Sequence, residues 1–259
     1  MIGIFDSGIG GLTVAKEIKK ANPGCQIIYF GDSARYPWGD KSPEVIRSYA
    51  VEISEFLMAE GVKDIVIACN TASTFAADFL RLKYPWINFY DVISPVVARI
   101  EQEKNKRDEK RIGVIGTRGT IGSGIYSKKI KKIGKNFQVF SKACPLFVPL
   151  AEEGLLSGKA TDLIVEKYLK DLKKKRINTL VLGCTHYPLL KRSIGQFMGK
   201  NVQVISSAEE IAQKTKNSFA FKGNTNKQDV YYFSDLTEHY REIIQKILKK
   251  KALIKNKFF

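Results

Sequence analysis

The chain has 259 residues, 44% hydrophobic and 27% charged, which is long enough for one large core or two smaller ones and ordinary for a globular protein. Its 43 Lys and Arg against 26 Asp and Glu give a net charge of +17, with lysines spread over segments such as Lys128-Lys129, Lys173 to Lys175 and Lys249 to Lys251; this reads as a solvated basic surface suited to an anionic substrate, and a nucleic-acid partner is the weaker reading. No window approaches the roughly 18 continuous apolar residues of a membrane helix, and the opening Met1-Ile2-Gly3-Ile4-Phe5-Asp6 lacks the order of a signal peptide, so a cytoplasmic protein with no membrane partner is expected.

Short apolar runs alternate with helical patterns along the whole chain. The first run, Ile2–Phe5, leads into Phe5-Asp6-Ser7-Gly8-Ile9-Gly10-Gly11-Leu12-Thr13. Glycines after a first strand suggest a dinucleotide loop, with Asp32 after the second strand as the ribose acid. The third glycine of that fingerprint would fall at Thr13, however, and no Gly-Lys-Ser/Thr marks a P-loop. Such a turn can still offer backbone N–H groups to a carboxylate, or be only a tight strand-to-helix turn. The run Gln26–Phe30 precedes Gly31-Asp32-Ser33-Ala34-Arg35-Tyr36-Pro37-Trp38-Gly39-Asp40, a long loop of turn formers and aromatics. Loops of this kind often carry function. Ser42-Pro43 opens a helix, a capping serine before proline at the first helical position, and Val45, Ile46, Tyr49, Ile53, Phe56 and Leu57 follow near helical spacing.

Further strand-like runs are Asp64–Cys69 and Asn88–Val92. The stretch Glu101 to Arg111 is too polar for a core and reads as the end of a surface helix plus a linker. Beyond it come Arg111–Gly116, Phe137–Ala143, Thr179–Gly183, Asn201–Ile205 and Val230–Phe233, with a helical pattern through Leu163, Ile164, Tyr168 and Leu172. Alternation of this kind predicts an α/β protein with mainly parallel sheets.

The two halves resemble each other. Ile2-Gly3-Ile4-Phe5-Asp6-Ser7-Gly8 matches Ile112-Gly113-Val114-Ile115-Gly116-Thr117-Arg118. Later, Asp64-Ile65-Val66-Ile67-Ala68-Cys69-Asn70-Thr71 matches Asn178-Thr179-Leu180-Val181-Leu182-Gly183-Cys184-Thr185. Two matches in the same order suggest a duplication that brings two related sites together across a cleft. Each later segment puts a thiol at the C-terminal end of an apolar strand, the edge where open α/β sheets bind ligands. A lone cysteine there is usually an inert small hydrophobe; two in equivalent places, each flanked by hydrogen-bonding residues, invite a functional reading. His186, beside the second, is one of two histidines in the chain.

On these segments the sequence resembles glutamate racemase, within the aspartate/glutamate racemase superfamily. The resemblance rests on Phe5 to Thr13, Asp32-Ser33-Ala34-Arg35, Ala68-Cys69-Asn70-Thr71-Ala72-Ser73, Val148-Pro149-Leu150-Ala151-Glu152-Glu153 and Gly183-Cys184-Thr185-His186-Tyr187-Pro188. The two cysteine motifs are its most specific part. Where the family pattern has Pro-Tyr-Gly, this chain has Pro37-Trp38-Gly39.

The chemistry suits thiols. Inverting an amino acid removes a weakly acidic Cα proton from one face and returns one to the other. Two acid–base groups on opposite faces do this without a cofactor, and thiols titrate near enough to neutrality to serve. The resemblance implies that Cys69 takes the proton from D-glutamate and Cys184 from L-glutamate, with Asp6, Glu152 and His186 assisting. Asp6 is expected to accept a proton or hold the substrate ammonium. Ser7, Trp38, Gly39, Asn70, Thr71, Thr117, Thr120 and Thr185 are the expected further substrate contacts, with no metal. Cys25 and Cys144 match no catalytic motif and are assigned to structure.

By the same resemblance the fold is two pseudo-symmetric α/β domains facing across a cleft, residues 1–93 with 207–259 and residues 94–206. A homodimer supplying D-glutamate to peptidoglycan synthesis is implied. The rivals are another racemase of the superfamily, such as one for aspartate, and a basic nucleic-acid-binding protein.

Overall fold

The computed structural model describes residues 1–103, 109–216, 227–248 and 252–258. Part of the predicted linker and the Lys249 to Lys251 cluster lie outside them. Among the described residues ten strands form two sheets. β1 (Ile2–Asp6), β2 (Ile27–Gly31), β3 (Asp64–Ile67) and β4 (Asn88–Asp91) come first. β5 (Lys110–Gly116), β6 (Phe137–Ala143), β7 (Thr179–Gly183) and β8 (Gln203–Ser206) follow. β9 (Val230–Phe233) and β10 (Leu253–Asn256) close the chain. The first sheet runs β10-β9-β2-β1-β3-β4 and the second β6-β5-β7-β8. Neighbouring strands pair in parallel in both.

The repeat seen in the sequence is a repeat of topology. The order β2-β1-β3-β4 in one sheet is the order β6-β5-β7-β8 in the other, so β1 corresponds to β5 and β3 to β7. The two cysteines therefore follow equivalent strands, β3 beside β1 and β7 beside β5.

Side-chain alternation explains why the strands read as unbroken apolar runs. Ile2, Ile4, Tyr29 and Val66 join the core on one face of the first sheet. Phe5, Ile28, Phe30, Ile65 and Ile67 join the core on the other. The second sheet divides likewise, with Ile112, Val114 and Val181 on one side and Ile115, Leu180 and Leu182 on the other. A parallel sheet covered by helices on both faces needs apolar residues at every position. Among the described residues no helix is long and apolar enough to cross a membrane.

The nine predicted strands are all present, with small shifts of boundary. Asp91 ends β4 because its carboxylate turns to cap the next helix, accepting from the Ile93 and Ser94 amides at 2.9 and 2.7 Å. The helix predicted from Ser42-Pro43 runs Pro43–Ala59, and the Ser42 hydroxyl accepts from the Val45 amide at 3.4 Å. The second predicted helix runs Lys159–Lys174. β10 was not predicted.

Candidate active site

The loops at the ends of β1, β3, β5 and β7 converge on a cavity of about 270 Å³. Both Cys69 and Cys184 line it, together with Ser7, Trp38, Gly39, Asn70, Thr71, Thr117, Thr185 and His186. Walls come from both halves of the chain.

On the first side, Cys69 leaves β3 in extended conformation and caps the helix Asn70–Phe75. Its sulfur accepts from the Ala72 amide at 3.4 Å and lies 3.7 Å from the Ser7 hydroxyl. Burial first, then the nearby Asp6 carboxylate, push the Cys69 thiol up to about 12. On the second side, Cys184 follows β7 and its sulfur lies 3.9 Å from His186 Nδ1. The other ring nitrogen, Nε2, is 3.1 Å from Glu152 Oε1. Burial opposes a charge on His186, but hydrogen bonds to Cys184 and Glu152 outweigh it and raise the imidazole to about 10. With both nitrogens protonated, His186 donates to the sulfur and to the carboxylate at once.

Three expected residues stand behind the cavity wall. Asp6 is fully buried. One of its oxygens accepts from the Gly8 and Gly11 amides at 3.2 and 3.0 Å, and the other accepts from the Thr185 hydroxyl at 3.2 Å. Two N–H groups of the glycine loop are thus taken by an internal carboxylate, which favours the tight-turn reading of this loop over the anion-site reading. Glu152 stands behind His186 and Tyr36, hydrogen-bonded to both. Thr120 lies behind Thr71 and Thr117, with the hydroxyl of Thr71 3.0 Å from that of Thr117 and 3.3 Å from that of Thr120. Those three hydroxyls join the two halves across the site.

Asp32, a candidate ribose acid by position alone, is a buried hub instead. It accepts from Arg35 Nε at 2.8 Å, Trp38 Nε1 at 3.1 Å and the Ser234 hydroxyl at 2.7 Å. Those bonds shape the loop that brings Gly39 to the cavity. A Cβ on Gly39 would meet Thr117 Cβ at 2.8 Å, so glycine permits the close approach of the two halves there. Tyr36, Asp40, Arg118, Pro145, Val148 and Pro149 also line the cavity, and sequence reading did not single them out as site residues. Arg118 could have been found from the repeat, as the partner of Gly8; Tyr36 and Asp40 lie in the long loop after β2 and Val148 and Pro149 in a family-matching segment, while Pro145 carries no local signal.

Asp6 makes a testable thermodynamic prediction. Burial dominates the partners that favour its charge, and its carboxyl is raised from 3.8 to about 6. A carboxyl raised in the folded state binds its proton more tightly there, so the folded state is favoured at low pH and loses stability as pH rises from about 4 through about 6. Asn keeps an acceptor for both glycine amides and donates to Thr185 without the buried charge. Asp6→Asn should therefore raise unfolding free energy at pH 8 by roughly 1–3 kcal/mol, and by less at pH 5. Denaturant titrations at the two pH values check this.

Two sheets of equivalent order, with a thiol after the third strand of each, define the class. The chain belongs to the Asp/Glu/Hydantoin racemase family, whose model matches residues 12–215. Its relatives include glutamate racemases. It is 46% identical over 247 residues to the glutamate racemase of Aquifex aeolicus, covering 95% of this chain and 93% of the relative. The crystal structure of Francisella tularensis glutamate racemase in complex with D-glutamate matches with a TM-score of 0.89 at 35% identity, covering 100% of this chain and 96% of that one. The Escherichia coli glutamate racemase, in complex with L-glutamate and the activator UDP-MurNAc-ala, matches with a TM-score of 0.82 at 25% identity, covering 99% and 97%.

Proposed function

We propose that this chain interconverts L- and D-glutamate without a cofactor, Cys69 and Cys184 exchanging protons with Cα from opposite faces. The observation that carries this reading is that two equivalent strands deliver both thiols to one cavity. The bound D-glutamate of the Francisella relative and the bound L-glutamate of the Escherichia relative support both enantiomers as ligands.

Cys69, pushed up to about 12, starts protonated, and His186, raised to about 10, stands positive 3.9 Å from the Cys184 sulfur. With L-glutamate, Cys184 takes the Cα proton and Cys69 delivers its own to the other face. D-glutamate needs the opposite distribution, Cys69 as base and Cys184 as acid. Glu152 holds His186 in place by its hydrogen bond to Nε2. Asp6, raised to about 6, accepts a proton or balances the substrate ammonium through the Thr185 side. Ser7, Asn70, Thr71, Thr117 and Thr185 offer hydroxyls and an amide to the two carboxylates, with Thr120 supporting Thr117.

The cleft belongs to the proposal as the boundary between two domains, residues 1–93 with 207–259 and residues 94–206. So do a cytoplasmic setting, a homodimer, and D-glutamate destined for peptidoglycan synthesis.

Incubating the purified protein with L-glutamate tests the reading: the circular dichroism of the amino acid should decay to zero. A parallel sample with L-aspartate should keep its signal. A stable glutamate signal would end the proposal, and decay with aspartate alone would move it to the neighbouring substrate.

Trp38 takes the place of the family tyrosine. Its indole is turned away to Asp32 and packs against the Tyr49 ring at 5.5 Å between centroids. The account therefore gives Trp38 a backbone role, and Trp38→Tyr should keep most racemase activity. A loss above roughly a hundredfold, about 2.7 kcal/mol of barrier, would show that the indole itself matters.

A further inference from the structure

His186 belongs to the second half of the chain, yet first-half groups hold its ring. A Cβ added to Gly10 would lie 2.5 Å from His186 Cε1 and Nδ1, so the imidazole is pressed against the glycine backbone. The Tyr36 ring, on the loop after β2, stands 6.2 Å from the imidazole between centroids at an interplanar angle of 46°. The Tyr36 ring in turn rests near Gly8, whose Cβ would meet Tyr36 Cδ2 at 3.5 Å. Tyr36 also packs against the second half's apolar cluster, which contains Cys144, Phe147, Val148 and Cys184, and it lines the cavity beside Cys184 and His186.

The phenol responds to the same group of residues. Burial first, then Glu152 and Cys184, push it well above its ordinary range, so at neutral pH Tyr36 is uncharged and contributes as a ring and a hydroxyl. A neutral aromatic wall excludes water from the imidazolium without competing for its charge.

We infer that Tyr36 is a positioning residue that holds the His186–Glu152 pair against Cys184, so that one thiol is set by a side chain from the opposite half of the chain while the other is not. This rests on the two-thiol reading above. Cys69 takes its contacts from Ser7, Ala72 and Asp6, and Tyr36 is not among them. Removing the Tyr36 ring should therefore damage one face of the reaction selectively.

Racemisation itself cannot show that asymmetry. Its equilibrium constant is unity, so kcat/KM falls equally in both directions. Elimination from glutamate bearing chlorine at Cβ can show it. There a thiolate takes the Cα proton, the electron pair forms the Cα–Cβ double bond and chloride leaves, so one base on one face suffices. Chloride release from the L and D forms should be compared in wild type, Tyr36→Leu, Tyr36→Phe and Cys184→Ala. Tyr36→Leu should lose roughly tenfold to a hundredfold with the L form and stay within about threefold with the D form; Tyr36→Phe, which keeps the ring but loses its hydrogen bond to Glu152, should lose less than Tyr36→Leu with the L form and retain the D form within about threefold. Equal loss of both forms in Tyr36→Leu, or no loss, would overturn the inference.

Cys184→Ala separates this failure from failure of the two-thiol reading, since it should abolish the L form and spare the D form. A second readout does not depend on which enantiomer each thiol serves. Cys184 is also faced by Cys69, Tyr126, Cys144 and Tyr187, all unchanged in the variant. Alkylation by iodoacetamide at pH 7.5, followed by peptide mass spectrometry, should therefore slow about tenfold at Cys184 in Tyr36→Leu and hardly change at Cys69. An unchanged rate at Cys184, or equal slowing at both thiols, would remove Tyr36 from this role.

Discussion

Cys69→Ala and Cys184→Ala should each lower racemisation in both directions by at least about a thousandfold, roughly 4 kcal/mol of barrier. Inversion needs a base on one face and an acid on the other, so either loss stops it. Stability should change far less, because each thiol lines a cavity and is small. The pair of variants becomes informative when elimination from a substrate with a leaving group at Cβ is measured beside racemisation. Cys69→Ala should still release chloride from the L form and lose the D form; Cys184→Ala should do the reverse. Two variants that eliminate both forms equally would mean that one shared base serves both enantiomers, and the assignment of faces to thiols would go.

Gly10→Ala should be nearly as damaging although Gly10 carries no side chain. A Cβ there would sit 2.5 Å from His186 Nδ1 and 2.6 Å from the Thr185 hydroxyl. Gly10 is not among the residues with positive φ, so alanine is compatible with its backbone and the effect comes from the displaced neighbours alone. The imidazole and the hydroxyl must both shift, which disturbs their contacts with Cys184 and Asp6. A loss in kcat/KM of roughly a hundredfold is expected, with a melting temperature within about 5 °C of wild type. Activity within about threefold of wild type would mean that the pose of His186 matters little.

The sheets were legible in the sequence because their strands are buried on both faces. The apolar side chains of runs such as Ile2–Phe5 or Thr179–Gly183 face one core or the other in turn, so the apolar signal is nearly continuous and its ends are marked by polar turns. β10 shows the opposite case. Leu253–Asn256 forms an edge strand, mostly exposed, and its Leu-Ile-Lys-Asn offers neither a long run nor a clear alternation. Its place beside β9 is set by pairing with a strand that the sequence did mark.

The site was legible in its paired parts and opaque in its assembled parts. Cys69 and Cys184 could be matched because the chain repeats, and the repeat survives in the equivalent order of the two sheets. Tyr36, Val148 and Pro149 meet at the cavity only because the two halves close on each other, and no local pattern encodes that meeting. The glycine loop left two readings open, free N–H groups for a ligand or a plain turn, and the Asp6 carboxylate, which accepts from two of those amides, favours the second.

The central claim is that two monoprotic groups handle the two faces of one Cα, and isotope entry in deuterated water tests it most directly. A thiol carries a single proton, so a proton taken from one face stays on that sulfur while the other thiol delivers its own. Starting from L-glutamate at low conversion, each newly formed D-glutamate should carry one deuterium at Cα, and recovered L-glutamate should carry little. The same should hold from D-glutamate. Recovered substrate that gains deuterium as fast as product forms would contradict the account.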